Sequence, residues 1–317
     1  MTTADAALIQ RPPPKGAKLD PVFKWICAVA ATTLLASLTG IIITLLIGGW
    51  PAFATFGLGF FTSSHWNPVT DVYGAEGPIV GTLISAMLAL FFSLPIAFGV
   101  AVFLVEFCPA SLRRPIGVAV ELLAGIPSIV YGIWGLFIFG PFFAQYVQLP
   151  LMTAAPAGSI WETLTQGVPN GTNILTASII LAMMILPYMA AVLRDLFNTV
   201  PVQLRESGYG MGSTTFEVIT SITLPFVRRS AIGAVMLGLG RALGETMAVT
   251  FIIGNSHALP KSLFDSGSTI ASTIANEFNE ATGLHVAALI ALGLILFLIT
   301  FAVLAIARAL LGAESPA

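Results

Sequence analysis

Charge is the scarcest ingredient of this 317-residue chain: Asp, Glu, Lys and Arg make up only 9%, against about 25% in an ordinary globular domain. Apolar residues make up 56%, so a water-soluble fold would lack the polar groups to cover its surface, and lipid is the expected solvent. The net charge of -2 offers no basic excess for nucleic acid and no sign of an acidic substrate. Cysteine is nearly absent. Cys27 and Cys108 fall near expected cytoplasmic helix ends and are read as free thiols, with no disulfide framework and no cysteine metal site. There is also no Cys/His metal spacing, no Gly-rich phosphate loop and no Gly-x-Ser-x-Gly nucleophile elbow. The chain alone therefore carries no visible catalytic apparatus, and no metal or cofactor of its own is expected.

Long apolar runs are what it has in abundance. A hydrocarbon core of about 30 Å takes about 20 apolar residues as helix, and only a helix or closed barrel satisfies its own backbone there. Continuous runs near 25–49, 79–105, 118–143, 174–193, 230–253 and 286–307 predict an all-α membrane protein with six transmembrane helices. Pro95 in the second run, Pro127 and Pro141 in the third and Pro187 in the fourth are expected to bend their helices. The first run is read as an uncleaved anchor, because a polar leader precedes it and Trp25 to Trp50 exceeds the ~7 to 15 residues of a signal core. Residues 1–24, with the stretch RPPPKG, are expected to be a disordered leader, 25–312 the membrane domain and 313–317 a short tail.

Basic residues are distributed one-sidedly. Arg11, Lys15, Lys18 and Lys24 precede the first run, Arg113 and Arg114 follow the second, Arg194, Arg205, Arg228 and Arg229 separate the fourth from the fifth, and Arg308 ends the sixth. Lys261 alone lies in the opposite loops, so the positive-inside rule places both termini in the cytoplasm. Phe53, Phe56, Phe60, Phe61 and Trp66 in the first outer loop are expected at the membrane interface.

The largest cytoplasmic feature after the leader is Pro201 to Arg229, PVQLRESGYGMGSTTFEVITSITLPFVRR. Its first part predicts a short helix, Gly208, Gly210 and Gly212 permit a turn, and Phe216, Ile219 and Ile222 line a second helix that Pro225 stops or bends. Such a pair of helices makes a knob that asks for a partner. Glu206-Ser207-Gly208, then Gly212, then nine residues to Ile222-Thr223-Leu224-Pro225 resembles the EAA loop of bacterial ABC importer permeases. In that pattern Glu-Ala-Ala is followed by three residues, Gly, nine residues and Ile-x-Leu-Pro; the spacing matches, and Ser-Gly replaces Ala-Ala. The resemblance implies that the knob, with Glu206, Ser207, Gly208, Gly212, Ile222, Leu224 and Pro225, docks into a separate ATP-hydrolysing subunit.

Two charges, Arg241 and Glu245, stand in the middle of the fifth run within GLGRALGETMAVT. Each costs roughly 2.5 to 3.5 kcal/mol at mid-bilayer on insertion scales, so neither is expected to face lipid. Four residues apart on one helical face, they permit two readings: a mutually neutralising pair that fixes packing, or a path for an anion in which Arg241 supplies the cation and Glu245 orients or gates. Ser128, Tyr131 and Thr246 are weaker candidates for hydroxyl donors along the same path. Glu106 and Glu121 are expected to snorkel or pair with Arg113 and Arg114, and His257 and His285, isolated in outer segments, are given no role.

GRALGETMAVT, ELLAGIPSIVYGIWG from Glu121, GPIVGTLISA from Gly77, LVEF from Leu104 and the WNP at Trp66 are together similar to the permeases of phosphate-specific ABC importers. The similarity runs from about residue 20 to 310. It implies the type I, MetI-like permease fold and residues matching Arg241 and Glu245 tied to phosphate translocation. It also implies a related second permease, an ATPase dimer that binds ATP and Mg, and an external phosphate-binding protein. A permease for sulfate or molybdate, and a carrier or channel independent of ATP, stand as alternatives.

Overall fold

The computed structural model describes residues 19–156 and 158–312; the leader up to residue 18 and the tail 313–317 lie outside the described residues. Its contacts divide the chain into one unit ending at Gly48 and a second from Gly49 onward. In the first unit the chain is already helical at Asp20, inside the expected leader. There Thr32, Thr33, Thr39 and Thr44 each donate their hydroxyl to the carbonyl four residues back at 2.8–2.9 Å, so these four hydroxyls keep a partner in hydrocarbon.

The helices, in chain order, begin with α1 (Asp20–Phe56), α2 (Gly59–Thr62), α3 (Glu76–Val102), α4 (Ala110–Ala124) and α5 (Ser128–Trp134). They continue with α6 (Gly140–Phe143), α7 (Leu149–Ala154), α8 (Ile160–Thr165), α9 (Ile174–Asn198) and α10 (Val202–Gly210). The last are α11 (Thr215–Val218), α12 (Leu224–Leu243), α13 (Met247–Ile252), α14 (Ile270–Glu277) and α15 (Leu284–Gly312). Among the described residues there is no strand, and six stretches are long and apolar enough to cross a membrane: Asp20–Phe56, Glu76–Phe107, Ser128–Ala154, Ile174–Asn198, Thr215–Leu243 and Leu284–Ala309.

The third and fifth stretches differ from expectation. The third starts at Ser128 and not near 118, because Pro127 ends the preceding segment: its ring disfavours helix at Ile126 and leaves the chain extended. The residues before it form α4, whose Glu121 pairs with Arg194 at 2.7 Å. The fifth begins at Thr215, well before residue 230, and breaks after Leu243. Pro225 does not stop it. A π-helical turn, Ile219–Thr223, runs directly into α12, which has Pro225 at its start. The same device recurs in the third stretch, where π-helical turns Gly135–Phe139 and Ala144–Gln148 precede Pro141 and Pro150. In each case the carbonyl four residues before the proline, the one its ring would strike, lies in the widened turn. Pro95 and Pro187 sit inside helices that continue through them.

At the centre is α9, the most buried of the six stretches, packed along α3 and against α12 and α13. The buried face of α3 is small: Gly77, Gly81, Ser85, Ala86, Ala89, Ser93 and Ala97. Small residues let backbones approach closely where lipid offers no hydrophobic drive. At Gly77 and Gly81 an added Cβ would stand 2.0 Å from the carbonyl oxygens of His257 and Ser268, so the loop between α13 and α14 lies directly on α3. Thr82 Oγ1 then accepts the Ile270 N–H at 2.9 Å and anchors the start of α14.

A second core sits at the loop-rich end, opposite the end that carries the basic residues. Four of the five aromatic residues of the first loop belong to it: Phe60 is fully buried, and Phe53, Phe56 and Trp66 pack with Tyr73, Ile270 and Ala288. Phe61 alone of the five is exposed there. Beside this core the two histidines that looked isolated converge on Glu277. His257 Nε2 lies 2.7 Å from Oε1, while His285 Nε2 and Trp66 Nε1 each lie 2.7 Å from Oε2. An ionised carboxylate only accepts, so each Nε2 carries its proton toward Glu277. Trp66 stacks on His257 at 5.1 Å and Tyr73 on His285 at 5.1 Å. Burial, then the Asp71 hydrogen bond, pushes the Tyr73 phenol up to about 12, so it stays a donor.

Burial alone would raise the Glu277 pKa, but the hydrogen bonds from His257, Trp66 and His285 outweigh it and hold the carboxyl below its usual range. A depressed carboxylate contributes stability that is present above its unfolded pKa and is lost as pH falls through the folded one. Thermal melts in detergent should show Glu277→Ala less stable by about 2–3 kcal/mol at neutral pH, three donors being left without an acceptor. The gap to wild type should narrow as pH drops below the ordinary carboxylate range.

Candidate functional site

Two features lie on the fifth stretch: a charged break at one end and the knob at the other. At the break, α12 ends at Leu243 with Gly244 as its cap, and α13 starts at Met247 after Thr246. Arg241 is in the last turn of α12, where the helix carbonyls favour a cation. Its guanidinium lies 5.6 Å from the centroid of the Tyr188 ring on α9, and the residue is exposed on the surface of the chain. Glu245 is half-buried and accepts the Ala248 N–H at 3.4 Å, at the start of α13 where a negative charge is favoured. The two charges therefore do not share one regular helical face, and among the described residues they make no ion pair with each other. Each is offset by the end of a different helix.

The third stretch meets the break. Gly132 on α5 lies against α13, and an added Cβ would be 3.1 Å from the Ala248 Cα and 3.2 Å from the Met247 carbonyl oxygen. Tyr131 on α5 is half-buried, and its hydroxyl donates to the Leu123 carbonyl at 3.3 Å. Thr246 donates to the Gly244 carbonyl at 3.3 Å, so both hydroxyls are engaged by backbone. Ser128 is half-buried at the first position of α5. Tyr188 was not singled out from sequence, and nothing distinguishes it there from other aromatic residues in apolar helices.

The knob consists of α10, a turn and α11. Glu206 and Ser207 are exposed on α10, and the Ser207 hydroxyl donates to the Gln203 carbonyl at 2.7 Å. Gly208 is buried: an added Cβ would meet the Ile222 Cδ1 at 2.6 Å and the Val218 Cγ2 at 3.1 Å. Gly212 turns the chain at φ +86°, in the left-handed region open to glycine. Thr214 then opens α11 with a capping box: Glu217 N–H donates to its hydroxyl, and Glu217 Oε2 accepts the Thr214 N–H at 2.7 Å. Ile219 and half-buried Ile222 face inward, whereas Phe216 points out, 73% exposed beside Met211 at 79%. Leu224 is half-buried and Pro225 exposed where α12 begins.

The acidic residues at this end are not paired as expected. Glu121 takes Arg194, which also holds Asp195 at 2.7 Å. Glu106 takes Arg205 at 3.0 Å, while Arg113 donates to the Cys108 carbonyl at 3.3 Å.

Residues 97–312 match the protein family described as the binding-protein-dependent transport system inner membrane component. The chain belongs to this family, and it is an all-α permease with six membrane-spanning helices. Its relatives include the phosphate transport system permease protein PstC of Pasteurella multocida, 50% identical over 92% of each chain. The PstC of Mesorhizobium japonicum is 51% identical over 92% of this chain and 90% of its own, and PstC 1 of Mycobacterium tuberculosis 36% identical over 89% and 90%. Among solved structures, a bacterial alginate ABC transporter in complex with an alginate pentasaccharide-bound periplasmic protein aligns with TM-score 0.60 at 16% identity, over 92% of this chain and 96% of its own. The inward-facing MetNI methionine ABC transporter aligns with TM-score 0.51 at 19% identity, over 72% and 92%. At these identities the solved structures establish the fold.

The packing at Gly208 yields a graded expectation. Gly208→Ala needs the tip of Ile222 to turn aside and Val218 to give slightly and should melt close to wild type, whereas the branched Gly208→Val overpacks both contacts and should lose about 1–3 kcal/mol. Melts of the two variants in one detergent check it.

Proposed function

We propose that this chain is the membrane-spanning permease subunit of an ATP-driven importer of inorganic phosphate. The observation that carries the reading is 50% identity with a phosphate transport permease over 92% of the chain. The basic end lies in the cytoplasm, with both termini there and the loop-rich end outside the inner membrane. A second permease, PstA-like, completes the path; a PstB-like ATPase dimer binds ATP with Mg and receives the knob; a PstS-like protein delivers phosphate outside. ATP hydrolysis belongs to the ATPase, and this chain contributes the path and the mechanical coupling.

Arg241 suits a tetrahedral oxyanion, since its planar fork donates several charge-assisted hydrogen bonds and does not lose its proton. Its exposure on the chain surface supports a place where a second subunit closes around it. Glu245 opposes over-tight binding and orients or gates the anion, so that cargo is released. Thr246, Ser128 and Tyr131 are secondary, because the Thr246 and Tyr131 hydroxyls already bond backbone. Tyr188 holds the guanidinium in place by its ring face.

The test is uptake of labelled phosphate into liposomes containing the assembled importer. Arg241→Gln should reduce uptake to background while the subunits still co-purify; surviving uptake overturns the translocation role. Uptake by this chain without an ATPase would instead favour an ATP-independent carrier, and competition by sulfate or molybdate would redirect the cargo.

A further inference from the structure

We propose that Arg205, clamped on Glu106, is the positioning residue that fastens the knob to the transmembrane bundle and carries ATPase motion into it. The proposal rests on the reading of the knob as the ATPase docking element, and adds the joint that reading lacks. Arg205 is not part of the spacing by which the knob resembles importer permeases. It precedes Glu206 on α10, and its side chain turns inward, 17% exposed, to a Glu106 side chain 9% exposed.

Three elements meet at this one guanidinium. Nη1 lies 3.0 Å from Glu106 Oε1 in the π-helical turn Phe103–Phe107 that ends the second stretch. Nη2 donates to the carbonyl of Phe197, at the end of α9, a position where helix carbonyls lack intrahelical partners. The forked guanidinium alone can serve both at once; an ammonium is a single point. One turn along α10, Gly208 seats against Val218 and Ile222, which lead into the fifth stretch. The knob is thus held to the second and fourth stretches by a charge and to the fifth by packing. Glu106 is nearly dry and Arg205 half-buried, so removing the arginine leaves a buried carboxylate without compensation, while removing the glutamate leaves the guanidinium with the Phe197 carbonyl alone. That makes the joint stiff: the knob cannot move without drawing the ends of α3 and α9 or breaking the pair.

The experiment uses the complete importer, with its second permease, ATPase and binding protein, in liposomes, and reads phosphate taken up per ATP hydrolysed. Glu106→Gln and Arg205→Gln should still hydrolyse ATP, with that ratio lowered roughly 3- to 30-fold. The charge-reversed double variant, Glu106→Arg with Arg205→Glu, should recover part of it, and Arg205→Lys, the variant least disturbing to folding, should fall between. An unchanged ratio in Arg205→Lys and both single variants overturns the proposal. So does a parallel loss of assembly, hydrolysis and uptake that the reversed pair does not repair, since that marks a purely structural contact. Wild-type importer that takes up no phosphate, or no ATPase bound to wild-type chain, would sink the functional reading itself.

Discussion

A backbone group without a partner costs several kcal/mol in hydrocarbon, where no water can step in. Several departures from regular helix among the described residues obey that constraint. Pro141, Pro150 and Pro225 each follow a π-helical turn that holds the carbonyl the ring would strike, and the helix goes on past them. The deliberate interruption, Gly244 to Thr246, is sealed locally: Gly244 N–H reaches Gly240, the Thr246 hydroxyl takes the Gly244 carbonyl and the Glu245 carboxylate takes Ala248 N–H.

The same interruption explains how two charges survive in the middle of an apolar stretch. A regular helix would have set Arg241 and Glu245 one turn apart and invited them to neutralise each other. Breaking the helix between them creates a carbonyl end beside the arginine and an N–H end beside the glutamate. Each charge is then partly compensated by backbone, and the guanidinium lies on an exposed residue beside the ring of Tyr188. An arginine already spent on a carboxylate would have little left to offer an anion.

Legibility from sequence followed the range of the interactions involved. The six stretches and the knob could be read because hydropathy, glycine spacing and charge asymmetry are local. The limits of the third and fifth stretches could not, because apolar residues continue through Pro127 and before residue 230 alike, and the sequence does not tell a proline that ends a helix, such as Pro127, from one that is passed, such as Pro95, Pro187 or Pro225. Trp66 is 211 positions from Glu277, and no local pattern announces that it meets His257 and His285 there. The pairing of Glu106 with Arg205 was missed for the same reason, since Arg113 and Arg114 stand nearer along the chain. Phe53, Phe56, Phe60 and Trp66 look like interface residues because aromatic residues in a loop next to an apolar run commonly are; α14 and α15 supply the cover that makes them a core.

The two features of the fifth stretch are connected by the helix itself. From Thr215 to Leu243 it runs without interruption, about 40 Å at 1.5 Å per residue, with the knob at its start and Arg241 in its last turn. Had Pro225 stopped the helix, a hinge would lie between them and displacement at the knob would dissipate in a loop. The π-helical turn at Ile219–Thr223 removes that hinge while keeping the proline, and Gly208 and Arg205 tie α10 to the same rod and to the neighbouring helix ends. Beyond Gly244 the break sets α13, packed on Gly132 of α5, apart from α12. The knob and the guanidinium thus lie on one continuous helix, which is the connection that the proposed coupling relies on.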